Sequence, residues 1–280
     1  MAANLVSPDA PNTSSESRIG KTTAVTVGLL HPGEMGSAVG ATLAAQGETV
    51  IWASAGRSPA TAERANRAGL EDAGSVEELC RRSDVIISVC PPHAAVEVAG
   101  SAKVFTGIYV DANAISPASA QAIAGLVGRC VDGGIIGPPP AEQGTTRLYL
   151  SGREADRVAD LFAGTTLDAR VVSPTVGAAS AVKMAFAAWT KGSAALLLAI
   201  RALARAEGVE DTLLEEWRTS LPQLEDQSVA AARSAQKKGW RWIGEMEEIA
   251  ETFAAAGLPD GFHRAAAEIY RRGPTRQGHA

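Results

Sequence analysis

A glycine-rich turn near the start of the chain is the clearest candidate for a nucleotide site. Residues 28–36 read Gly-Leu-Leu-His-Pro-Gly-Glu-Met-Gly, after an apolar run and before a stretch of small residues. The dinucleotide-binding pattern G-x-G-x-x-G would fall on positions 31, 33 and 36. Gly33 lets the backbone approach a pyrophosphate, Gly36 lets helix and strand pack closely, and the phosphates would bind free amides at the helix N-terminus.

His31 departs from this pattern, so the prediction depends on the strand expected before the turn and the helix expected after it. A glycine-rich turn without a ligand is the alternative interpretation, and we favour the nucleotide. The residues of this turn predicted to contact it are Gly28, His31, Pro32, Gly33, Glu34, Met35 and Gly36.

The end of the next apolar run indicates which dinucleotide fits. NAD sites usually carry an acidic residue there, which binds the ribose 2′-hydroxyl. Residues 51–58 contain no acid and offer Ser54, Arg57 and Ser58 instead. A guanidinium and hydroxyl groups suit a 2′-phosphate, which a carboxylate would repel. The sequence therefore favours NADP over NAD, although Arg57 as a solvated loop cation is the simpler alternative.

Alternating strand and helix signals position these residues. Apolar, β-branched runs at 24–30, 49–53, 84–90, 107–112 and 129–136 alternate with helix-forming segments. Apolar strands separated by helices form a parallel sheet with crossover helices, so we predict an α/β fold with a doubly wound Rossmann domain.

Ligands bind at the carboxyl ends of the strands in such sheets. Cys90 and Pro91 end the third of these runs and are therefore further cofactor candidates. His93 follows the same turn, and a loop histidine without a ligand is its simpler interpretation.

Residues 176–273 are predicted to form an all-helical domain. Residues 178–207 contain no proline and are apolar on almost every face, which predicts a helix buried all round, inside a domain or between subunits. Further helices are expected at 211–220, 225–238, 243–256 and 261–272, with Gly239 between the second and third of these. The predicted organisation is a disordered leader (1–23), a nucleotide-binding domain (24–175), the helical domain (176–273) and a tail (274–280).

Composition argues against several classes of protein. The 280 residues carry a formal net charge of −5, whereas binding to nucleic acid by phosphate neutralisation favours a basic excess. Cys80, Cys90 and Cys130 lie far apart, which argues against a disulfide scaffold and a metal site. The chain shows neither a signal-peptide core nor an uninterrupted apolar run of about 18–20 residues. We therefore expect a cytoplasmic protein that binds neither nucleic acid nor a membrane.

Three further segments have recognisable patterns besides the nucleotide turn. Residues 111–117 resemble D-x-S-T-x-S-P, residues 132–138 stand where D-A-P-V-S-G-G would be, and residues 177–187 lie on G-x-G-x-x-x-K-x-x-N-N. In this order and spacing they resemble the β-hydroxyacid dehydrogenase superfamily, in a branch similar to 6-phosphogluconate dehydrogenase and related to the imine reductases. The resemblance covers about residues 24–272 and implies a small-molecule substrate and a homodimer with interlocked helical domains.

The resemblance assigns a role to Lys183, which falls on the superfamily's catalytic lysine. That lysine is the general acid/base at the substrate oxygen, and burial can bring the pKa of an ammonium group toward neutrality. The asparagines that follow it in the superfamily are Phe186 and Ala187 here, and the substrate loop has become Ile136-Gly137-Pro138. Proline removes an amide donor. We therefore expect a more apolar pocket in which the carboxylate site of the superfamily is lost.

Weaker candidates lie in the helical half. Lys191 is eight residues after Lys183 on about the same helix face, and is either a second cation in the site or a surface charge. Trp240 and Trp242, expected on a turn beside Gly239, either pack in the core or form an aromatic wall over substrate or nicotinamide. Trp189 raises the same choice.

The remaining assignments concern single positions. Asn113 is predicted to contact the cofactor and to orient substrate. Gly244-Glu245 stands in place of a Lys-Asp pair of the superfamily, with loss of a polar anchor. His263 and His279 are expected at the surface.

These residues predict an NADP-dependent oxidoreductase that transfers a hydride between nicotinamide and a carbonyl or alcohol, with Lys183 relaying the proton. An imine reductase is the first alternative: a more apolar pocket favours it, and the retained lysine argues against it. A non-catalytic NADP-binding scaffold or sensor is the second, because several substrate motifs are altered.

Overall fold

The structure is a computed structural model and describes residues 24–273; the predicted leader and tail lie outside the described residues. Its eight-stranded sheet has the order β3-β2-β1-β4-β5-β6-β7-β8, in which only the β6–β7 pairing is antiparallel. The strands are β1 (Thr26–Leu30), β2 (Thr49–Trp52), β3 (Glu71–Asp72), β4 (Val85–Ser88), β5 (Ile108–Asp111), β6 (Cys130–Ile136), β7 (Thr146–Ser151) and β8 (Leu167–Ser173).

The strand order reverses direction between β1 and β4, which is the point where doubly wound sheets bind ligands. Six helices accompany the sheet and four follow it, so the predicted fold class is confirmed. The helices are α1 (Glu34–Ala45), α2 (Pro59–Arg67), α3 (Val76–Arg82), α4 (Ala95–Ser101), α5 (Pro117–Val127), α6 (Ala155–Leu161), α7 (Ala178–Ala206), α8 (Glu210–Ser220), α9 (Leu224–Ala255) and α10 (Gly261–Arg272).

An apolar cluster covers each face of the sheet. Successive side chains of a strand point to opposite faces, so each central strand contributes to both clusters. In β4, Val85 and Ile87 belong to one apolar cluster and Ile86 to the other. Serine side chains cap three of the helices beside the sheet, α2, α3 and α5: at the start of α3, Ser75 accepts a hydrogen bond from the Glu78 amide.

The sheet extends beyond the predicted series of strands. β7 returns antiparallel to β6, and β8 pairs parallel with β7 after a crossover through α6. Side chains of β7 alternate between buried and half-buried along most of its length. The predicted domain boundary, between residues 175 and 176, falls between β8 and α7.

The predicted break at Gly239 is wrong, because α9 is one continuous helix of 32 residues. Gly239 is buried within it, and a Cβ at this position would lie 3.7 Å from the Ala235 Cβ and from a Tyr270 ring carbon. Glycine in a helix interior costs about 1 kcal/mol relative to alanine, and packing of this kind overrides that preference. Trp240 and Trp242 therefore lie on a helix and not on a turn.

The long helix is not buried all round inside the chain, which removes the first of its two predicted settings; burial between subunits stays a prediction. α7 packs against β6, α9 and α10, but one side leaves large apolar side chains exposed. Phe186 is 46% exposed, Trp189 75% and Leu203 62%. Among residues 24–273, α7 alone has the length and mean hydropathy of a membrane span; it carries two lysines and packs against the sheet.

Candidate active site

The nucleotide turn joins β1 to α1, and two of its glycines are required by packing. A Cβ at Gly28 would lie 2.4 Å from the Ser83 Oγ, and one at Gly36 would lie 2.6 Å from the His31 carbonyl oxygen. Both distances are too short for any side chain. Gly33 is the N-cap of α1 and a Cβ there would meet only one atom, at 4.0 Å, so its surface is open to a ligand.

His31 adopts a left-handed backbone conformation, with φ of 67°. Among residues 24–273 it is the one non-glycine residue with positive φ, which explains why glycine is usual at this position. Burial, and secondarily the nearby Arg57 guanidinium, lowers its pKa to about 4, so the imidazole is neutral at pH 7. Its Nδ1 atom is buried and has no hydrogen-bond partner among the described residues.

Arg57 lies after β2, the strand next to β1, and its Nε atom is likewise buried without a partner in residues 24–273. Ser54 is half-buried and its carbonyl accepts a hydrogen bond from the Arg57 amide. Ser58 caps α2 by accepting a hydrogen bond of 3.3 Å from the Thr61 amide. Its hydroxyl therefore has a structural role, whether or not it also meets a phosphate.

Arg64 is a residue of this region that the sequence analysis missed. It lies on α2, and its Nη1 donates a hydrogen bond of 3.2 Å to the Pro32 carbonyl in the nucleotide turn. The contact joins residues 32 positions apart, and its only sequence signal is an arginine on the helix that follows β2. The hydrogen bond links α2, the helix that follows Arg57, to the backbone of the nucleotide turn.

Asn113 connects the carboxyl ends of β4 and β5. Its Oδ1 accepts a hydrogen bond of 2.5 Å from the Cys90 amide, and its Nδ2 donates to Ser88 Oγ and to a carboxylate oxygen of Asp111. The residue is 2% exposed. Each polar atom of its amide thus has a protein partner, and Asn113 positions the strand ends that border the cleft.

Two buried groups beside Asn113 are shifted toward their neutral forms. Burial raises the pKa of Asp111 to about 7, and the negative charges of Asp132 and Glu248 contribute. Burial raises the pKa of the Cys90 thiol to about 12, with a contribution from Asp111. Cys90 is therefore a neutral thiol at pH 7 and not a nucleophile.

Asp132 fixes the helix that carries Lys183. Its two carboxylate oxygens accept hydrogen bonds from the Gly177 and Ser180 amides, the Ser180 hydroxyl and the Ser151 hydroxyl, at 2.6–3.0 Å. A carboxylate at a helix N-terminus is stabilised by the free amides and the helix dipole. Although it stands in the predicted substrate loop, Asp132 is fully buried at the start of α7.

Lys183 is one helical turn further along α7, close to the end of β6. Its Nζ donates a hydrogen bond of 2.8 Å to the Ile135 carbonyl oxygen. A Cβ at Gly134 would lie 2.8 Å from the Ala179 carbonyl oxygen and 3.0 Å from the Lys183 Cβ, so glycine allows this close approach of strand and helix. Burial lowers the pKa of Lys183 to about 8; the Lys191 charge lowers it further and Glu245 opposes the shift.

Lys191 forms an ion pair with Glu245 of α9, and the two side chains are 13% and 14% exposed. This burial argues against Lys191 as a surface charge, but Lys191 itself lies outside the lining of the cleft and contacts the site through Glu245. The expected loss of a polar anchor at Gly244-Glu245 is also wrong, because Glu245 borders the cleft with its charge paired.

The cleft lies between the carboxyl ends of the strands and α9, and has a volume of about 180 Å³. It combines apolar walls with cationic, anionic and amide groups, so the expectation of a more apolar pocket holds for only part of its surface. Its lining comprises Met35, Val89, Cys90, Pro91, Pro92, His93, Asn113, Ala114, Ile135, Gly137, Lys183, Trp240, Arg241, Gly244 and Glu245.

Several predicted substrate residues lie outside this lining. Ile136 and Ala187 are buried in the core, and Trp242 packs edge-on against Tyr270 with ring centroids 5.2 Å apart. The Pro138 carbonyl accepts a hydrogen bond from the hydroxyl of Thr146, the first residue of β7. Trp240, in contrast, is 68% exposed at the mouth of the cleft.

Arg241 is a second residue that the sequence analysis missed. It lines the cleft beside Trp240, with its guanidinium carbon 6.0 Å from the Trp240 ring centre. His263, expected at the surface, is buried, packs on Phe253 with ring centres 4.2 Å apart, and has its pKa lowered by burial. His279 lies outside the described residues.

A larger crevice of about 750 Å³ lies at the opposite end of β6, around Cys130. Its charged lining includes Arg129 and Glu154, which form an ion pair with each other. Cys130 is the first residue of β6, so this crevice lies at the amino ends of the parallel strands. The nucleotide turn and the cleft lie at the opposite, carboxyl ends. We therefore place the candidate site in the smaller cleft, which is lined by a subset of the predicted residues: Met35, Cys90, Pro91, Asn113, Gly137, Lys183 and Trp240.

Two family models match different parts of the chain. Residues 26–114 match the family described as NADP oxidoreductase coenzyme F420-dependent. Residues 204–273 match a domain of unknown function, DUF1932. An uncharacterized 28.5 kDa protein in the 7S RNA 5′ region of Methanothermus fervidus is 32% identical over 163 residues, which are 57% of this chain and 63% of that protein. The match thus spans less than two thirds of that relative's length.

Solved structures resemble nearly the whole described fold. The conserved protein MTH1747, of unknown function and structurally similar to 3-hydroxyacid dehydrogenases, is 28% identical with a TM-score of 0.68, over 89% of this chain and 96% of its own. The 3-hydroxyisobutyrate dehydrogenase of Mycobacterium tuberculosis, with L-serine, is 17% identical with a TM-score of 0.68 over 89% and 93%. A reductive aminase of Aspergillus terreus, in complex with NADPH and ethyl levulinate, is 20% identical with a TM-score of 0.55 over 89% and 93%.

Identities as low as those of the dehydrogenase and the aminase establish a shared fold only. The shared fold and the two family matches together confirm the predicted resemblance. The chain joins a nucleotide-binding region of the NADP-oxidoreductase type to a DUF1932 region, in the fold of the 3-hydroxyacid dehydrogenases and imine reductases.

Proposed function

We propose that this protein is an NADP-dependent oxidoreductase that interconverts a carbonyl compound and an alcohol in the cleft beside α9. The observation that carries the proposal is the position of Lys183. Its ammonium group borders the cleft, bonds to the Ile135 carbonyl at 2.8 Å, and has a pKa lowered to about 8. A proton donor of this kind beside a nucleotide turn fits hydride transfer.

The residues of the turn fit a dinucleotide. Gly33 presents an open backbone surface at the N-terminus of α1, and two buried polar atoms, His31 Nδ1 and Arg57 Nε, have no hydrogen-bond partner among residues 24–273. When bound, the nicotinamide would supply or accept the hydride. The absence of an acid in residues 51–58, together with Arg57, supports NADP over NAD.

Lys183 would handle the proton. In the reduction direction its ammonium group donates a proton to the substrate oxygen while the carbonyl π electrons move to that oxygen. In the oxidation direction its neutral amine takes the hydroxyl proton. The Ile135 carbonyl accepts a hydrogen bond from one N–H group of the Lys183 ammonium. The other two N–H groups remain for substrate and solvent.

The cleft supports a small substrate with a polar reacting group and an apolar part. Met35, Ile135 and Trp240 provide apolar surface, and Arg241 at the same cleft adds a cation. C=N reduction is the second candidate function, favoured by these apolar walls. Retention of Lys183 favours C=O chemistry.

A second copy of the chain is proposed to cover the exposed side of α7. Phe186, Trp189 and Leu203 place apolar surface in solvent on a helix that packs against the sheet on its other side. We expect a homodimer by light scattering at micromolar concentration; a monomer there would contradict this part of the proposal.

The function is tested by NADPH oxidation with a panel of small ketones, aldehydes and imines. We expect carbonyl reduction that falls about 10²–10⁴-fold in Lys183→Ala, with the Kd of NADPH nearly unchanged. Arg67→Ala, a change of an exposed cation on α2, is the control. Unchanged carbonyl turnover in Lys183→Ala would refute the assigned role, and turnover of imines alone would favour the second candidate.

A further inference from the structure

We propose that His31 and Arg57 together bind the 2′-phosphate of NADP, so that the histidine in the nucleotide turn is a determinant of cofactor specificity. This inference rests on the proposed function, because it concerns the same cofactor. It assigns a role to the residue by which the turn departs from the dinucleotide pattern.

The first argument is that two buried polar atoms lack hydrogen-bond partners at the same end of the sheet. His31 follows β1 and Arg57 follows β2, and these strands are neighbours in parallel register, with Leu29 opposite Trp52. Their free carboxyl ends therefore meet at one edge of the sheet. His31 Nδ1 and Arg57 Nε are each buried without a partner among the described residues. A buried polar atom without a partner is destabilising. A phosphate oxygen would accept a hydrogen bond from Arg57 Nε and from His31 in the tautomer that carries its proton on Nδ1.

The second argument is the backbone of His31. A φ of 67° is unfavourable for histidine and favourable for glycine. The conformation is held in place by the Gly33 amide, which donates to the His31 carbonyl at 2.7 Å, and by Arg64, which binds the adjoining Pro32 carbonyl at 3.2 Å. These contacts therefore hold His31 in a strained backbone conformation, and such conformations are common at ligand sites.

The third argument is chemical. The end of the second strand faces the ribose 2′ position of a bound dinucleotide, and a phosphate there offers several acceptor oxygens. An Arg guanidinium and an imidazole N–H are suitable donors for such a group. The cofactor pyrophosphate carries the same chemistry, and comparing NADPH with NADH distinguishes the two, because both contain the pyrophosphate and only NADPH the 2′-phosphate.

His31→Gly is the decisive variant, because glycine keeps the positive φ without strain and removes only the imidazole. We expect the Kd of NADPH, measured by calorimetry, to rise about 10–100-fold while that of NADH changes less than about threefold. Arg57→Ala should show the same selectivity. Melting of the ligand-free His31→Gly protein checks that it folds, and Arg67→Ala, on the exposed side of α2, serves as the matched control.

The double variant tests whether one phosphate is shared. If both donors bind the same group, losses of affinity in His31→Gly and Arg57→Ala should be non-additive in the double variant. Additive losses would overturn the shared site. Equal weakening of NADPH and NADH would place the contact at the pyrophosphate and overturn the 2′ assignment, and unchanged or tighter NADPH binding in His31→Gly would overturn the role of His31.

These outcomes are separable from the proposed function. Binding is measured without substrate, so a protein that binds NADPH selectively through His31 but turns nothing over would contradict the enzymatic proposal alone. Normal NADPH-dependent turnover, together with an unchanged Kd of NADPH in His31→Gly, would contradict this inference alone. A wild-type protein that binds neither dinucleotide would overturn both.

Discussion

Lys191 of α7 and Glu245 of α9 form a largely buried ion pair beside Lys183. The two charges act on Lys183 in opposite directions, since the Lys191 ammonium lowers its pKa and the Glu245 carboxylate raises it. The pair therefore joins two helices and also sets the electrostatic environment of the proposed proton donor.

Lys183 should determine the pH dependence of the reaction. Its pKa is lowered to about 8, so the ammonium form predominates below that pH and the neutral amine above it. We expect kcat/KM for reduction to fall as pH rises through about 8 and kcat/KM for oxidation to rise over the same range. Both profiles are measured with saturating cofactor. A reduction rate that stays flat across this range would contradict the assignment.

Substitutions of the ion pair should shift that profile in opposite directions. Lys191→Met removes a cation and frees Glu245 to interact with Lys183, which raises the pKa and moves the fall in reduction rate to higher pH. Glu245→Gln leaves two cations together and moves it to lower pH. The comparison of the two profiles with that of Arg67→Ala is the measurement. Shifts in the same direction would show that the pair acts through structure alone.

Asp132 should contribute strongly to stability. Asp132→Asn keeps the shape of the side chain but replaces an acceptor oxygen by an amide group, so buried donors at the start of α7 lose their partner. We expect a loss of about 2–3 kcal/mol in the free energy of unfolding, measured by urea denaturation. Asp160→Asn, an exposed change on α6, should stay within about 0.5 kcal/mol. Equal stability of the two variants would contradict the role given to Asp132.

Gly239→Ala should stabilise the protein. The new Cβ would make ordinary contacts at 3.7 Å, and alanine is the better helix former, so we expect a gain of about 0.5–1 kcal/mol. Gly192→Ala is the comparison: it lies within α7, where a Cβ would meet the Phe262 ring at 3.0 Å, so its gain should be smaller or absent. Thermal melts of both variants measure the difference. A loss of stability in Gly239→Ala would contradict the packing described for α9.

The parts of the site that the sequence predicts are those that depend on nearby residues. The nucleotide turn and the strand ends at Cys90 follow from local patterns of glycine, proline and apolar residues. Lys183 follows from the resemblance of one helix. Sequence distance is the obstacle for the rest: Lys191 and Glu245 are 54 residues apart, and their contact depends on how α7 packs on α9.

Two differences between the predicted helices and those of the described chain have a common physical cause. Gly239 resembles a helix breaker, and the apolar faces of residues 178–207 resemble a fully buried helix, because propensity and hydropathy describe one segment at a time. The surroundings decide both cases. Tyr270 packs over Gly239, whereas in the described chain Trp189 has no covering neighbour on its side of α7 and is 75% exposed.

The hydrogen bonds of Asp132 have a mechanical consequence. A residue of strand β6 holds the first turn of α7, so the sheet that carries the nucleotide turn and the helix that carries Lys183 form one rigid frame. The separation between a bound nicotinamide and the proposed proton donor would then be fixed by the frame. We expect adaptation to substrates of different size to come from the opposite wall, where α9 presents Trp240 and Arg241.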